Sequence, residues 1–403
     1  MKKNYSLYGL PENISFCKFC SISNQRPRSV VEFKNLNDEK KGIQFNKDGV
    51  CEACSYTRTK KEIDWVDREK KLLKLLDKHR KNNNEYDCIV PGSGGKDSAY
   101  ASHLLKYKYG MNPLTVTWAP HLYTQIGWEN FTNWIHIGGI DNILFTPNGK
   151  LHRLLTKLAF ENLLHPFQPF IIGQKLIGPK TALKYKIPLI FYGENQAEYG
   201  NALEENENPE MDISFFSNEK IEDIRLSTLT IKEVIKRYDF KLSDFNPYVP
   251  PKKEELKKLD IQQRFLGYYL KWDPQECYYY ASKNTGFKPN TERTEGSYSK
   301  YSSIDDKIDP FHYFCTLIKF GIGRATYDSA QEVRNEKITR DEAVQLVKKY
   351  DSEFPKKYFK DFLNYIDCNE KKFWETVDKF RSPHLWKKDL KNEKWKLKKS
   401  IFD

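Results

Sequence analysis

The sequence predicts an α/β fold, a doubly wound parallel sheet preceded by a small cysteine-bearing module and followed by a mainly helical region. Three observations predict it. Short apolar or β-branched runs alternate with helical stretches from Tyr86 to Tyr192, the pattern of βα units that feed a parallel sheet. Cys17, Cys20, Cys51 and Cys54 form two close pairs in a segment with little hydrophobic periodicity, so something other than a core must hold that segment. Beyond about residue 290 the apolar spacing becomes mainly helical. The expected division is 1–62 for the cysteine module, 63–290 for the sheet domain and 291–403 for the helical region.

Taken in order, Trp65 to Lys81 reads as an amphipathic helix, with Leu72, Leu73, Leu75 and Leu76 on one broad apolar side. Tyr86–Val90 is a short apolar strand, and a helix runs from about Ser98 to Lys108. Leu114–Trp118 is a second strand, followed by helix around Trp128 to Ile137 and a strand at Asn142–Phe145. Leu151 to Leu164 is helical and Ile187–Tyr192 is another strand. Residues 201–220, with Glu204, Glu205, Glu207 and Glu210, read as an exposed acidic insertion. Phe265–Leu270 reads as a further strand. Ile338 to Tyr350 is the clearest late helix, with Thr339 as N-cap and Glu342 completing a capping box.

Composition excludes several classes. A chain of 403 residues suggests two domains with a small extra module. Hydrophobic residues at 39% and aromatics at 14% exclude a disordered chain. No apolar run approaches the roughly 18 residues that span a bilayer, and Met1 to Ser6 leads into no apolar segment. A cytoplasmic protein with no membrane partner is expected. The net charge of +12 admits a nucleic-acid partner. Its lysines are scattered in short clusters such as Lys348-Lys349 and Lys387-Lys388, so a solvated basic surface is expected rather than a nucleic-acid interface. An anionic substrate such as ATP or a nucleotide sugar fits the same charge.

The chemistry concentrates where the first strand ends. Pro91-Gly92-Ser93-Gly94-Gly95-Lys96-Asp97-Ser98 links that strand to a helix. Glycines let backbone N–H groups turn inward, and a helix N-terminus adds unpaired donors and a positive dipole end. Ser93 and Ser98 add hydroxyls, Lys96 adds charge, and Asp97 could hold a magnesium ion bridging phosphates. A Walker A loop would need glycine at Val90 and a hydroxyl at Asp97, and the dinucleotide fingerprint would need a third glycine. Ser93, Gly94, Gly95, Lys96, Asp97 and Ser98 are therefore expected to bind phosphate in another way.

Cys17-x-x-Cys20 and Cys51-x-x-Cys54 offer four thiolates, a set that suits tetrahedral, structural zinc. A [4Fe–4S] cluster is the rival occupant.

Ser93 to Ser98 resembles the PP-loop, SGGxDS, of the N-type ATP pyrophosphatases, which include GMP, asparagine and argininosuccinate synthetases and the tRNA thiolation enzymes. Some of those thiolation enzymes carry an iron–sulfur cluster. The resemblance implies cleavage of ATP between its α- and β-phosphates and adenylation of a carbonyl-type oxygen. Further segments are similar to one branch, the bacterial N-acetyl sugar amidotransferases of surface glycans and of pseudaminic and legionaminic acids. They include Arg26-Pro27 between the cysteine pairs, Gly127-x-x-Asn130-x-x-Asn133, Gly138-Gly139-Ile140-Asp141 and Thr146-Pro147-Asn148. They continue with His165 to Phe170, Tyr192-Gly193-Glu194-Asn195, Glu198-Tyr199-Gly200 and Lys319 to Thr326. The chain departs from the branch where Asn201, not a second glycine, follows Gly200.

That branch implies conversion of an acetamido to an acetamidino group. The amide oxygen attacks the α-phosphorus of ATP, pyrophosphate leaves, and ammonia then displaces AMP. Lys96, Asp97 and Glu194 are the expected catalytic residues. Asn195, Glu198, Tyr199 and Arg324 are expected to bind a sugar or nucleotide-sugar substrate. No cysteine sits in a glutaminase context, so the resemblance implies separate ammonia-supplying subunits like the glutaminase and cyclase of histidine biosynthesis. The alternative is a tRNA-thiolating sulfurtransferase, which needs a reactive cysteine near the ATP site; Cys88 lies inside an expected buried strand. His121, His136, His165 and His312 show no ligand-like spacing and are expected to be structural or surface histidines.

Overall fold

A computed structural model describes residues 6–36, 38–81, 83–193, 208–389 and 393–403. Its centre is a five-stranded parallel sheet of β1 (Cys88–Pro91), β2 (Pro113–Trp118), β3 (Asp141–Phe145), β4 (Leu189–Tyr192) and β5 (Gln262–Phe265), in the order β3-β2-β1-β4-β5. The chain leaves β1 toward one edge, builds β2 and β3, then returns to the other side for β4. That reversal makes a topological switch point beside β1, where ligands of open α/β sheets bind.

The N-terminal segment contributes α1 (Glu52–Lys60). Next come α2 (Trp65–His79) and α3 (Lys96–Tyr107), then α4 (Gln125–His136) after β2 and α5 (Gly149–Leu163) after β3. A long helix, α6 (Gln168–Tyr185), leads to β4. The period of two along each strand divides the core between the sheet faces. Cys88, Val90, Leu189 and Phe191 pack with Leu72 and Leu76 of α2 and Leu104 and Leu105 of α3. Ile89 and Ile190 pack with Leu114, Val116 and Ala182 of α6 on the other face. Covering both faces explains why the strands read as continuous apolar runs.

Several sequence expectations shift. In α2, Leu72 and Leu76 are fully buried, but Leu73 is 41% exposed, so the apolar stripe is narrower than expected. The further strand is not Phe265–Leu270; β5 ends at Phe265 and Leu266–Tyr269 forms a helical turn. The reason is pairing: Gln262 to Phe265 align with Leu189 to Tyr192 of β4, and the polar Gln262 and Arg264 hide this strand from a hydrophobicity reading. No amphipathic pattern marks α6 in the sequence. Its buried residues, Gln168 to Ala182, occupy nearly every side, which erases the amphipathic signal. The acidic insertion is also less exposed than expected, since Met211 and Phe216 are buried; Glu204, Glu205 and Glu207 lie outside the described residues.

After β5 come α7 (Pro274–Thr285), α8 (Asp309–Phe320), α9 (Arg324–Arg334), α10 (Arg340–Tyr350), α11 (Phe359–Tyr365) and α12 (Glu370–Lys379). The capping box of Thr339 and Glu342 is present at α10. The core runs across the segments. Tyr8, Leu10 and Ile14 join Phe160, Phe311, Phe362 and Phe373 in one aromatic cluster. The four cysteines pack with Ile322, Ala330, Val333 and Ala343 of the helical region. Among the described residues, no helix is long and apolar enough to cross a membrane.

Candidate active site

The glycine loop leaves the carboxyl end of β1 at the switch point. Gly92 packs so closely on α3 that a Cβ would lie 2.1 Å from the Ser98 Cβ. Gly94 has φ +81°, and a Cβ there would lie 2.8 Å from the Phe131 Cα. The loop therefore requires glycine twice for steric reasons. Gly95 is the N-cap of α3, and no side chain caps that helix. Its first N–H groups, which have no intrahelical acceptors, lie at the wall of a cavity of about 320 Å³ bordered by Ser93, Gly94, Gly95, Lys96 and Asp97. Loop, open helix terminus and cavity together form an anion cradle.

A second cavity of about 350 Å³ adjoins the first, and the two share Lys96, Asp97, Tyr301, Ser302, Tyr313 and Arg324. At that junction the Lys96 Nζ lies 2.5 Å from the Asp97 carboxylate. Arg324, at the first turn of α9, pairs with Asp328 at 3.0 Å and lies over the Tyr313 ring at 4.2 Å. The sequence-expected Arg324 thus joins the loop across more than two hundred residues of chain, although its guanidinium is also held by an ion pair. The second cavity is walled partly by Ile22, Ile43 and Ala53 of the cysteine segment, so that segment shapes the site without placing its sulfurs there.

Sequence reasoning missed the acidic wall of the first cavity, Asp305, Asp306 and Asp309. Ser93 hydrogen-bonds the Asp305 carboxyl, whose pKa burial and the neighbouring Asp306 push up. Burial raises Asp309 to about 7, partly opposed by Arg324. Asp306 is structural: it accepts from His121 Nδ1 at 2.7 Å and from the His121 backbone N–H at 2.8 Å. Asn130 faces the cavity, yet its amide clamps both backbone groups of Lys288, and Asn133 donates to the Gly286 carbonyl. Both asparagines hold the Gly286–Lys288 loop. No periodic signal could have exposed the aspartates, because their partners are distant in sequence.

Glu194, Asn195, Glu198 and Tyr199 lie outside the described residues. Gly193, just before them, packs at the carboxyl end of β4, where its Cβ would lie 2.8 Å from Trp272.

Cys17, Cys20, Cys51 and Cys54 converge, with all four sulfurs within 4.8 Å of one another and all four residues buried. The Cys17–Cys54 and Cys20–Cys51 sulfurs are 3.9 and 3.8 Å apart. Tetrahedral coordination with Zn–S near 2.3 Å separates sulfurs by about 3.8 Å, so the set fits one tetrahedral ion. The backbone N–H groups of Phe19 and Cys51 each donate to Cys17 Sγ at 3.3 Å, an arrangement that favours thiolate. Around one such ion, four protein sulfurs would close the coordination sphere and leave no position for a reactant.

Residues 295–401 match the family described as LPS biosynthesis protein WbpG-like, C-terminal domain. An uncharacterized protein of Methanocaldococcus jannaschii is 36% identical over 77 residues, covering 19% of this chain and 27% of that protein. The match thus spans about a quarter of that relative. Among solved structures, the NH3-dependent NAD synthetase of Campylobacter jejuni is 15% identical, covers 34% of this chain and 59% of its own, and has TM-score 0.28. The NMN synthetase of Francisella tularensis is 14% identical, covers 70% and 95%, and has TM-score 0.29. The U34-tRNA thiolase NcsA of Methanococcus maripaludis, with its [4Fe–4S] cluster, is 11% identical, covers 84% and 86%, and has TM-score 0.29. The parallel order β3-β2-β1-β4-β5 and its register define the fold.

Proposed function

We propose that this protein is an ATP-dependent amidotransferase of surface-glycan biosynthesis that converts a sugar acetamido group to acetamidino. The supporting observation is the pair of adjoining cavities that meet at Lys96, Asp97 and Arg324. In this reading the anion cradle holds the ATP phosphates, and the second cavity holds the sugar or nucleotide-sugar acceptor. The acetamido oxygen attacks the α-phosphorus, pyrophosphate leaves, and the amide N–H proton is lost. The O-adenylyl imidate then accepts ammonia at carbon. One ammonia proton moves to the imidate nitrogen, and AMP leaves with the C–O electron pair, giving an amidinium. Activation is needed because an amide oxygen is a poor leaving group and AMP is a good one. The match of residues 295–401 to a WbpG-like LPS biosynthesis domain agrees with a glycan substrate.

Asp97 would hold the magnesium ion that neutralises phosphate charge, its carboxylate facing both cavities beside Lys96. The cysteine site would hold structural zinc, since the sulfur spacing fits a single ion. Ammonia would come from separate glutaminase and cyclase-like subunits, and the protein would act in the cytoplasm. The tRNA-thiolating alternative is less favoured, because no cysteine borders either cavity among the described residues and burial raises the pKa of Cys88.

The test measures ATP conversion to AMP and pyrophosphate with ammonium chloride, against a panel of acetamido sugars, their nucleotide-linked forms and bulk tRNA. The proposal expects AMP only with a sugar, together with the mass change of oxygen replaced by NH. AMP formation only with tRNA would overturn it.

A further inference from the structure

A third cavity, of about 200 Å³, lies behind the acceptor cavity and shares His312, Thr316 and Tyr327 with it. Its outer wall is the Pro27–Val30 segment, with Ser29 exposed to solvent. His165 and Ile171 form another side, and Lys319 a third. His312, Thr316 and Lys319 fall on one face of α8, because residues three and four apart align along a helix. At 1.5 Å per residue that face extends roughly 10 Å, from the acceptor cavity to the outer chamber.

We infer that this chamber is the access route by which ammonia reaches the adenylated acceptor. The inference rests on the amidotransferase reading above. Its chemistry is suited to an uncharged nucleophile small enough to pass a wall of three side chains. His165 Nε2 lies 3.2 Å from Glu32 Oε1, and the His165 and His312 rings are 5.1 Å apart. Ammonium gives up its proton to water at the mouth, and with Nε2–H donating to Glu32, His165 Nδ1 is left to accept an N–H of the entering ammonia. Ammonia, its lone pair now free, moves on to His312. Burial and the neighbouring His165 hold the His312 imidazole well below its usual pKa, so it stays neutral. Its buried Nδ1 has no hydrogen-bond partner among the described residues, which gives ammonia a polar contact at the partition. Lys40, paired with Asp38 at 2.9 Å, and Lys319, which burial lowers to about 7 and which donates to the Leu163 carbonyl, complete the chamber wall beside Glu32. Ammonia then adds to the imidate carbon as written above, with AMP as the leaving group.

The test narrows the outer chamber at residues that border neither the phosphate nor the acceptor cavity. Val30→Trp and Ile171→Phe in the full chain are compared with wild type and with Val30→Ala. The assays are AMP formation with varied ammonium chloride and acceptor-dependent ATP–pyrophosphate exchange, using the panel sugar that turns over. The inference expects the KM for ammonium to rise about tenfold or more in both narrowed variants. Exchange should stay at the wild-type level, and Val30→Ala should behave as wild type. An unchanged KM for ammonium in both narrowed variants overturns the route and leaves the amidotransferase reading standing. Loss of exchange in both would also overturn it, because the chamber would then serve acceptor binding. Absence of ammonium-dependent AMP formation in the wild type sinks the amidotransferase reading itself and the route with it.

Discussion

Arg324 and Asp328, one helical turn apart at the start of α9, form an ion pair at 3.0 Å whose guanidinium also lies over the Tyr313 ring at 4.2 Å. The pair is held at its base by Asp351, which accepts from the Gly323 N–H at 2.9 Å and the Thr326 N–H at 2.7 Å. A planar cation fixed on two sides and bordering two cavities is suited to orienting an anionic or polar ligand.

Arg324→Lys keeps the charge and loses the planar fork. Acceptor-dependent AMP formation, read as kcat/KM, should fall about 10- to 100-fold with little change in Tm. Full activity in that variant would reduce Arg324 to a structural partner of Asp328.

Lys96→Ala and Asp97→Asn remove charge at the cavity junction. Each should lower the rate of AMP formation about a hundred- to a thousandfold, the scale set by losing one electrostatic contact in a transition state. Their melting temperatures should stay near wild type, because both side chains border cavities rather than the core.

Gly94→Ala places a Cβ on a backbone at φ +81°, 2.8 Å from the Phe131 Cα. Stability should fall by about 1–2 kcal/mol, read in urea. ATP affinity should fall as well, because the cradle's N–H groups would turn away.

The cysteine site should yield one zinc ion per chain by elemental analysis of protein purified without chelator. Four irons per chain would instead assign the thiols to a cluster. Cys51→Ser should lower Tm strongly, since the four sulfurs share a core with Ile322, Ala330, Val333 and Ala343.

Asp309 gives a pH dependence. Its folded-state pKa is raised from 3.8 to about 7 by burial, so the folded state holds its proton more tightly than the unfolded chain. That contribution to stability is fully present below about pH 4 and is lost as pH rises through about 7. Asp309→Asn cannot ionise. The Tm difference, variant minus wild type, should therefore grow in the variant's favour between about pH 5 and pH 8. A pH-independent difference would show that Asp309 ionises freely in the folded protein.

The sequence by itself determined the parts whose physics is local. A strand running into Ser93-Gly94-Gly95-Lys96-Asp97-Ser98 and then a helix dictates a glycine loop that opens onto a helix N-terminus, because backbone torsion and helix-end donors belong to neighbouring residues. Two Cys-x-x-Cys pairs dictate a four-sulfur site, and Thr339 with Glu342 dictates a helix start. Only the tertiary structure decided what surrounds those parts. Burial on all sides hid α6, and pairing with β4 set the bounds of β5. Glu32 and His165, 133 residues apart, meet at 3.2 Å, and Asp305, Asp309 and Arg324 come to face the glycine loop. No spacing rule links such residues. Their meeting follows from how the cysteine segment, the sheet and the late helices bury their apolar faces against one another, a non-local balance of packing that no short stretch of chain carries.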